Sequence, residues 1–487
     1  MSAFQKGALA RDLLNRFAKF SHCCPHHATG GAGPICVARP IVSRGQNEYA
    51  FEFASATLRY GRGVTAEIGY DLKNLGVKKT LIVTDRNVAK MRAFKEVADS
   101  LTRQKIRFSV FDNVRVEPSD ASMTEAIEFA RKVEADSFVG VGGGSAMDTA
   151  KAAALLCSNR NSELMDFVNA PFGKQLQPPN PMLPLIAVPT TPGTGSEMTT
   201  AAVLDLPAQK CQSFLKHRSL RPILAIIDPL NVMSMPRNVA IYSGFDVLCH
   251  ALESYTLKAY DEVCALGSCS APNYGIQRSP RPRNPGERPA YQGANPISDV
   301  WAREALQIIS KYFRRAVNDP DDEEARSEML KASSFAGMGF SNAGVHLCHA
   351  LCYPISSQGK TFCDKDYDQN QPLIPHGLSV VTTAVADFLF TTDADPVRHA
   401  EAAEHLGCHI PISASSEYIA ESLADQIRGY MADFGVPNGL SALGFDTSHV
   451  DKLAESAHDS MKAYSLCLKD TDKDIIAGLY EKSLSVY

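Results

Sequence analysis

The sequence predicts an α/β half built on a parallel sheet, followed by an all-helical half. Three observations carry that expectation. Between Lys79 and Ile227, short apolar runs alternate with helical segments, the pattern of a parallel sheet covered on both faces. Beyond Asp228-Pro229 those runs fade, and Ala-, Leu- and Glu-rich segments replace them. A length of 487 residues also exceeds one typical core and asks for two domains. The division read from the chain is a leader over 1–45, an α/β domain over 46–229 and a helical domain over 230–487.

Residues 1–44 hold six Lys or Arg and one acidic residue, Asp12. Leu9, Leu13, Phe17 and Phe20 share one face of a short helix. This basic, acid-poor start has the composition of a mitochondrial transit peptide and lacks the apolar core of a secretory signal. It points to the mitochondrial matrix. The thirteen cysteines are scattered, with no CxxC pair, which suits reduced thiols inside a cell. Cys23 and Cys24, with three nearby histidines, fall within the leader. No run reaches the 18–20 apolar residues of a membrane span. A net charge of −5 argues against non-specific nucleic-acid binding.

The expected strands are Thr80 to Thr84, Ile106 to Phe111, Ser137 to Val141, Leu183 to Val188 and Ile223 to Ile227. Helices are expected up to about Thr102 and over 121–134. In such sheets, ligands bind beyond the carboxyl ends of the strands. The third strand runs into Gly142-Gly143-Gly144-Ser145, and a helix carrying Asp148 and Lys151 starts at once. Glycines let a pyrophosphate approach the backbone, and a helix N-terminus offers it free N–H groups. The stretch does not read as GxGxxG, so the standard dinucleotide fingerprint is not met. A second loop, Pro189 to Glu197, follows another strand and offers Thr190, Thr191 and Thr194. Two such loops make this a Rossmann-like nucleotide domain. Asp85, at the end of the first strand, suits an adenosine ribose and would repel a 2′-phosphate, which favours NAD over NADP.

In the helical half, Asp246 and His250 are one turn apart on Phe245 to Glu253, close enough to share a metal ion. Asn342 to Tyr353 reads as one helix carrying His346 and His349, and His376 follows. Imidazoles with one carboxylate suit Zn²⁺ or Fe²⁺ rather than Mg²⁺ or Ca²⁺. Spacing alone does not choose between His346 and His349. The segment 267–296 is rich in Pro, Gly, Ser and Arg and reads as a solvated loop containing Arg278, Arg281, Arg283 and Arg288.

GGGSAMDTAK at 142–151, PTTPGTGSE at 189–197, GFDVLCHALESY at 244–255, NAGVHLCHALCYPIS at 342–356 and PHG at 375–377 together resemble the iron-containing (type III) alcohol dehydrogenase family. The resemblance spans about residues 48–400. DNVRVEP at 112–118 and RPAYQGANPISD at 288–299 are similar to its hydroxyacid–oxoacid transhydrogenase branch. The resemblance implies a dehydroquinate synthase-like fold with a catalytic metal between the two domains. It implies the metal ligands Asp246, His250, His349 and His376, preferring His349 to His346. It also implies NAD contacts from Gly142, Gly143, Gly144, Ser145, Asp148, Thr190, Thr191 and Thr194.

The implied reaction oxidises 4-hydroxybutyrate to succinate semialdehyde and reduces 2-oxoglutarate to D-2-hydroxyglutarate, with NAD tightly bound throughout. The partners expected are these small hydroxy and oxo acids, with a homo-oligomer left open. A cationic group for their carboxylates is expected but not named. A conventional NAD-dependent alcohol dehydrogenase that releases NADH, and a catalytically silent nucleotide-binding protein, are the competing readings. The chain departs from the family in three places. Tyr353 stands where many relatives have a second histidine, Gly359 to Asn370 is an insert relative to bacterial members, and Lys210-Cys-Gln-Ser-Phe obscures the register after the second loop. The last eighty or so residues resemble the family only in helical character.

Overall fold

The computed structural model describes residues 48, 50–262, 288–359, 361–367, 372–461 and 466–487. The leader, Arg278, Arg281 and Arg283 therefore lie outside the described residues. Residues 48–487 pack as one compact unit. Helices of seven residues or more are numbered below.

Six parallel strands form the main sheet, in the order β1-β8-β5-β4-β2-β3. They are β1 (Thr57–Tyr60), β2 (Lys79–Val83), β3 (Arg107–Phe111), β4 (Ser137–Gly142), β5 (Leu185–Pro189) and β8 (Leu224–Ile227). Every residue of β4 and β5 is buried, which explains why these strands read as continuous apolar runs. Helices α1 (Ile68–Asn74), α2 (Arg92–Arg103), α3 (Asp120–Lys132) and α4 (Gly144–Ser158) complete the layers. Because β4 and β5 are neighbours, with Gly142 paired to Pro189, the loops that leave their carboxyl ends emerge side by side.

Strand β1 and a hairpin are not expected from the sequence. Residues Ala201–Leu206 (β6) and Cys211–Lys216 (β7) form an antiparallel hairpin. Its strands are buried on both faces, so no alternation marks them, and Asp205, Gln212 and Ser213 break the apolar runs.

The helical half holds α5 (Arg237–Tyr255), α6 (Pro296–Asn318), α7 (Glu323–Ala343), α8 (Leu347–Gln358), α9 (His376–Thr391), α10 (Pro396–His405), α11 (Ser416–Phe434), α12 (Thr447–Met461) and α13 (Lys473–Lys482). Helix α5 is buried without interruption from Gly244 to Tyr255 and packs against α6, α7 and α9. The end of the 267–296 segment is ordered by its own sequence. Asn295 accepts hydrogen bonds from the N–H groups of Ile297 and Ser298 and caps α6, and Arg288 pairs with Glu48 at 2.9 Å.

The single helix expected over Asn342 to Tyr353 is broken in two. Helix α7 stops at Ala343, Gly344 takes φ +118°, and α8 begins at Leu347. A Cβ on Gly344 would meet Leu466 Cδ1 at 2.3 Å, so the break needs glycine both for its backbone angle and for space. The kink decides which way His346 and His349 face.

Candidate metal and cofactor site

Asp246 stands on α5, His349 on the first turn of α8, and His376 is the first residue of α9. The last placement depends on Gly377. A Cβ there would lie 1.8 Å from the carbonyl oxygen of Tyr242, so only glycine lets α9 start hard against α5. From Asp246 Oδ1 the distance is 3.3 Å to His349 Nε2 and 3.8 Å to His376 Nε2. Among the described residues these three form a group with ligand atoms within 4.8 Å of one another.

The fourth residue, His250, lies beside that group. Its ring stacks 3.9 Å from Phe340 and 4.2 Å from His349. Its Nδ1 is 3.5 Å from Asp246 Oδ1, and among the described residues this buried nitrogen has no hydrogen-bond partner. An orphaned imidazole nitrogen beside a carboxylate and two further imidazoles fits a metal of the iron or zinc kind. Burial pulls the His250 imidazole down to about 3, so it is present as a neutral ring able to donate a lone pair. Burial pushes the Asp246 carboxyl up, but His250, His376 and His349 around it reverse the sign and hold it below the usual carboxylate range.

His346 turns away. Its Nε2 is 3.1 Å from Thr256 Oγ1, and it takes no part in the group. The sequence reading did not single out Glu253, which is wholly buried. Its carboxylate accepts the Nδ1–H of His349 and the backbone N–H groups of His346, at 2.8 Å, and His349, at 3.3 Å. This fixes the His349 tautomer with Nε2 aimed at Asp246, the usual arrangement behind a metal-binding imidazole. Its signal was present: Glu253 lies seven residues after Asp246, on the same helical face.

Two cavities meet at this group. The larger, about 270 Å³, runs from Asp85 past Gly143, Gly144, Ser145, Thr190, Thr191 and Thr194 to Asp246 and His376. Helix α4 opens into it with Gly143 as N-cap and no side chain capping its first turn, which suits a pyrophosphate. A Cβ on Gly144 would sit 2.5 Å from Thr194 Cγ2, so the glycine lets the two loops close on each other. Gly142 joins them through its carbonyl, which accepts the Thr190 N–H at 3.0 Å. Asp85 also lines this cavity and accepts N–H groups from Asn87 and Val88.

The smaller cavity, about 90 Å³, is lined by His250, His349, His376, Tyr291, Tyr353 and Asp148 among others. Asp148 thus faces this pocket rather than the larger one. It accepts hydrogen bonds from Ser196 Oγ and the Val203 N–H, tying α4 to the second loop and the hairpin. Tyr353 stacks on His376 at 6.3 Å. Glu117, also not singled out beforehand, lines both cavities. Burial pushes its carboxyl up, and Gln212 Nε2 donates to it at 2.5 Å.

A sequence profile described as iron-containing alcohol dehydrogenase matches residues 55–229, and one for the C-terminal part of the Fe-containing alcohol dehydrogenase family matches residues 290–484. The mitochondrial hydroxyacid-oxoacid transhydrogenase of Caenorhabditis briggsae is 58% identical over 480 residues, 99% of each chain. The chain belongs to the iron-containing alcohol dehydrogenase family. Within that family it is also similar to the mitochondrial hydroxyacid-oxoacid transhydrogenase of Rattus norvegicus, at 47% identity over 90% of this chain and 91% of the relative. The alcohol dehydrogenase from Oenococcus oeni superposes with a TM-score of 0.74 at 26% identity, covering 89% of this chain and all of its own. The fold class expected from the sequence is therefore the one observed. The mitochondrial location read from the leader agrees with the names of these relatives.

Proposed function

We propose that the protein is a hydroxyacid–oxoacid transhydrogenase of the mitochondrial matrix, oxidising 4-hydroxybutyrate to succinate semialdehyde and reducing 2-oxoglutarate to D-2-hydroxyglutarate on one retained NAD. The observation that carries this reading is the meeting of two cavities at Asp246 and the surrounding histidines. The larger suits a dinucleotide and the smaller a small acid, so the acids can exchange while the dinucleotide stays. Asp246, His250, His349 and His376 would hold a ferrous or zinc ion, which would supply Lewis acidity toward a hydroxyl or keto oxygen, and the larger cavity would hold NAD, which would supply the hydride acceptor and donor.

The chain's own residues do the positioning. Glu253 holds His349 in one tautomer. The threonines and glycine-loop N–H groups seat the pyrophosphate, and Asp85 receives the adenosine ribose hydroxyls. Tyr291, Tyr353 and Phe340 exclude water from the smaller pocket, and Tyr353 leaves no second histidine there for a proton relay.

The test is a stoichiometry. Purified protein without added NAD should convert 4-hydroxybutyrate and 2-oxoglutarate to their products one for one. With 4-hydroxybutyrate and excess NAD but no oxoacid, NADH absorbance should stop rising near one equivalent per protomer. A steady rise would identify a conventional alcohol dehydrogenase.

A further inference from the structure

A cofactor that serves two half-reactions must leave more slowly than the acids exchange, so some part of the cleft must hold it. Within the insert after Gly359, the described residues 361–367 supply part of a wall of that cleft. Asp366 and Tyr367 line the larger cavity together with Tyr242, Pro375, His376 and Asp246. They stand on the wall beside α5, where Asp366 meets Asn238 and Tyr367 meets Tyr242, one turn before Asp246.

The stretch that carries them is fastened down. Helix α5 begins after Pro236, which has no side chain to accept the first-turn N–H groups; such groups need partners. Asp366 Oδ2 accepts the Asn238 N–H at 2.9 Å. The neighbouring Asp364 accepts from Asn238 Nδ2 at 2.9 Å and from the Tyr242 hydroxyl at 2.9 Å. It also organises its own turn, with Oδ1 accepting the Asp366 N–H at 2.9 Å and its carbonyl accepting the Tyr367 N–H at 3.1 Å. The Leu373 N–H donates to the Phe362 carbonyl at 2.8 Å and closes the base of the insert. The Tyr367 ring then lies 6.2 Å from that of Tyr242, tilted by 35°.

Resting on the retained-NAD reading above, we propose that Asp366 and Tyr367, positioned by Asp364, contact the nicotinamide–ribose half of the dinucleotide and set how slowly it leaves. A carboxylate is chemically matched to ribose hydroxyls and a phenol ring to the face of a nicotinamide. The anchors run to α5, the helix that carries Asp246, so the wall and the metal ligands share one rigid support.

The experiment compares wild type with Tyr367→Ala and Asp366→Asn. It reads NAD content per protomer after gel filtration and the NADH dissociation rate, followed by fluorescence with excess NAD as trap. The wild type should retain NAD close to stoichiometrically. Each variant should release NADH about tenfold faster or more, a change of about 1.4 kcal/mol, and its KM for added NAD should rise more than its kcat falls. Bound metal, measured on the same samples, should stay at the wild-type level. Asp366→Asn is isosteric and gives the reading alone if Tyr367→Ala does not fold. If the wild type holds NADH and both variants hold it equally long, the insert is not the retaining element and the proposal is overturned, while the transhydrogenase reading stands. If the wild type itself releases NADH at every turnover, that reading falls and this proposal falls with it.

Discussion

The Glu253 carboxylate accepts the Nδ1–H of His349, and the pair is shut away between α5 and α8. Burial disfavours the charged form of His349, yet Glu253 and Asp246 outweigh it and raise its pKa while the site is metal-free, so a metal at Nε2 would take the place of that proton. Through Nδ1, Glu253 fixes the ring so that Nε2 is the atom left for a metal. Glu253→Gln keeps the shape but removes the negative charge and offers an N–H where an acceptor is needed. Metal affinity should fall about 10- to 100-fold, measured by metal content after dialysis against a graded chelator. Unchanged affinity would mean that Glu253 only fills space.

His346 and His349 are three residues apart and have different fates. His349→Gln should strip the metal. His346→Gln should keep metal content while lowering the melting temperature, since it disturbs the contact to Thr256 Oγ1; a disturbed buried hydrogen bond costs about 1–3 kcal/mol. Metal analysis and thermal unfolding of both variants check this. Metal loss in His346→Gln would reverse the assignment.

Gly377→Ala is a test of packing. The new methyl would lie 1.8 Å from a backbone oxygen of α5, which cannot move aside as a side chain can. Overpacking of this kind costs about 1–3 kcal/mol, and the relief available is to push α9 away, taking His376 with it. The expected outcome is a destabilised protein with weakened metal binding, read by chemical denaturation and metal titration.

Lys151 predicts a dependence on pH. It is wholly buried, with Nζ donating to Ser196, Thr199 and the Ala201 carbonyl. Burial lowers its pKa from 10.5 to about 8, against the opposing pull of Asp148 and Glu197. Between those two values the unfolded chain binds the proton more fully than the native one, so unfolding free energy rises with pH. From pH 8 to 10.5 the wild type should therefore gain stability relative to Lys151→Met, by roughly 3 kcal/mol at most at 1.36 kcal/mol per pH unit. Denaturation of both proteins across that range gives the sign directly. A difference that shrinks as pH rises would contradict it.

Where burial and periodicity agree, the fold was legible in the residues. Strands β2, β4, β5 and β8 are apolar runs because both faces are covered, and Phe245 to Glu253 is helical because nothing in it breaks a helix. Strand β1 escaped notice because Thr57–Tyr60 is a half-exposed edge with polar residues. The hairpin escaped because its buried Gln212 and Ser213 look like loop residues until Glu117 is seen to need Gln212. The break at Gly344 depends on Leu466, more than a hundred residues away, which no local pattern contains. Asp246, His349 and His376 could be named from motif resemblance; the spacing put Glu253 on the Asp246 face of α5, but its role as the support of His349 needs the packing of α5 against α8. Asp148 carried a cofactor expectation, and the structure turns it toward the smaller pocket.

The central claim is that hydride passes from one acid to another through a cofactor that never leaves. The direct measurement supplies metal-replete protein, without added NAD, with 4-hydroxybutyrate deuterated at C4 and with 2-oxoglutarate. Mass spectrometry then follows deuterium at C2 of 2-hydroxyglutarate. The account predicts label transfer over many turnovers per protomer with no free nicotinamide cofactor in the solution. Turnover that demands free NAD, with the label ending in soluble NADH, would contradict it.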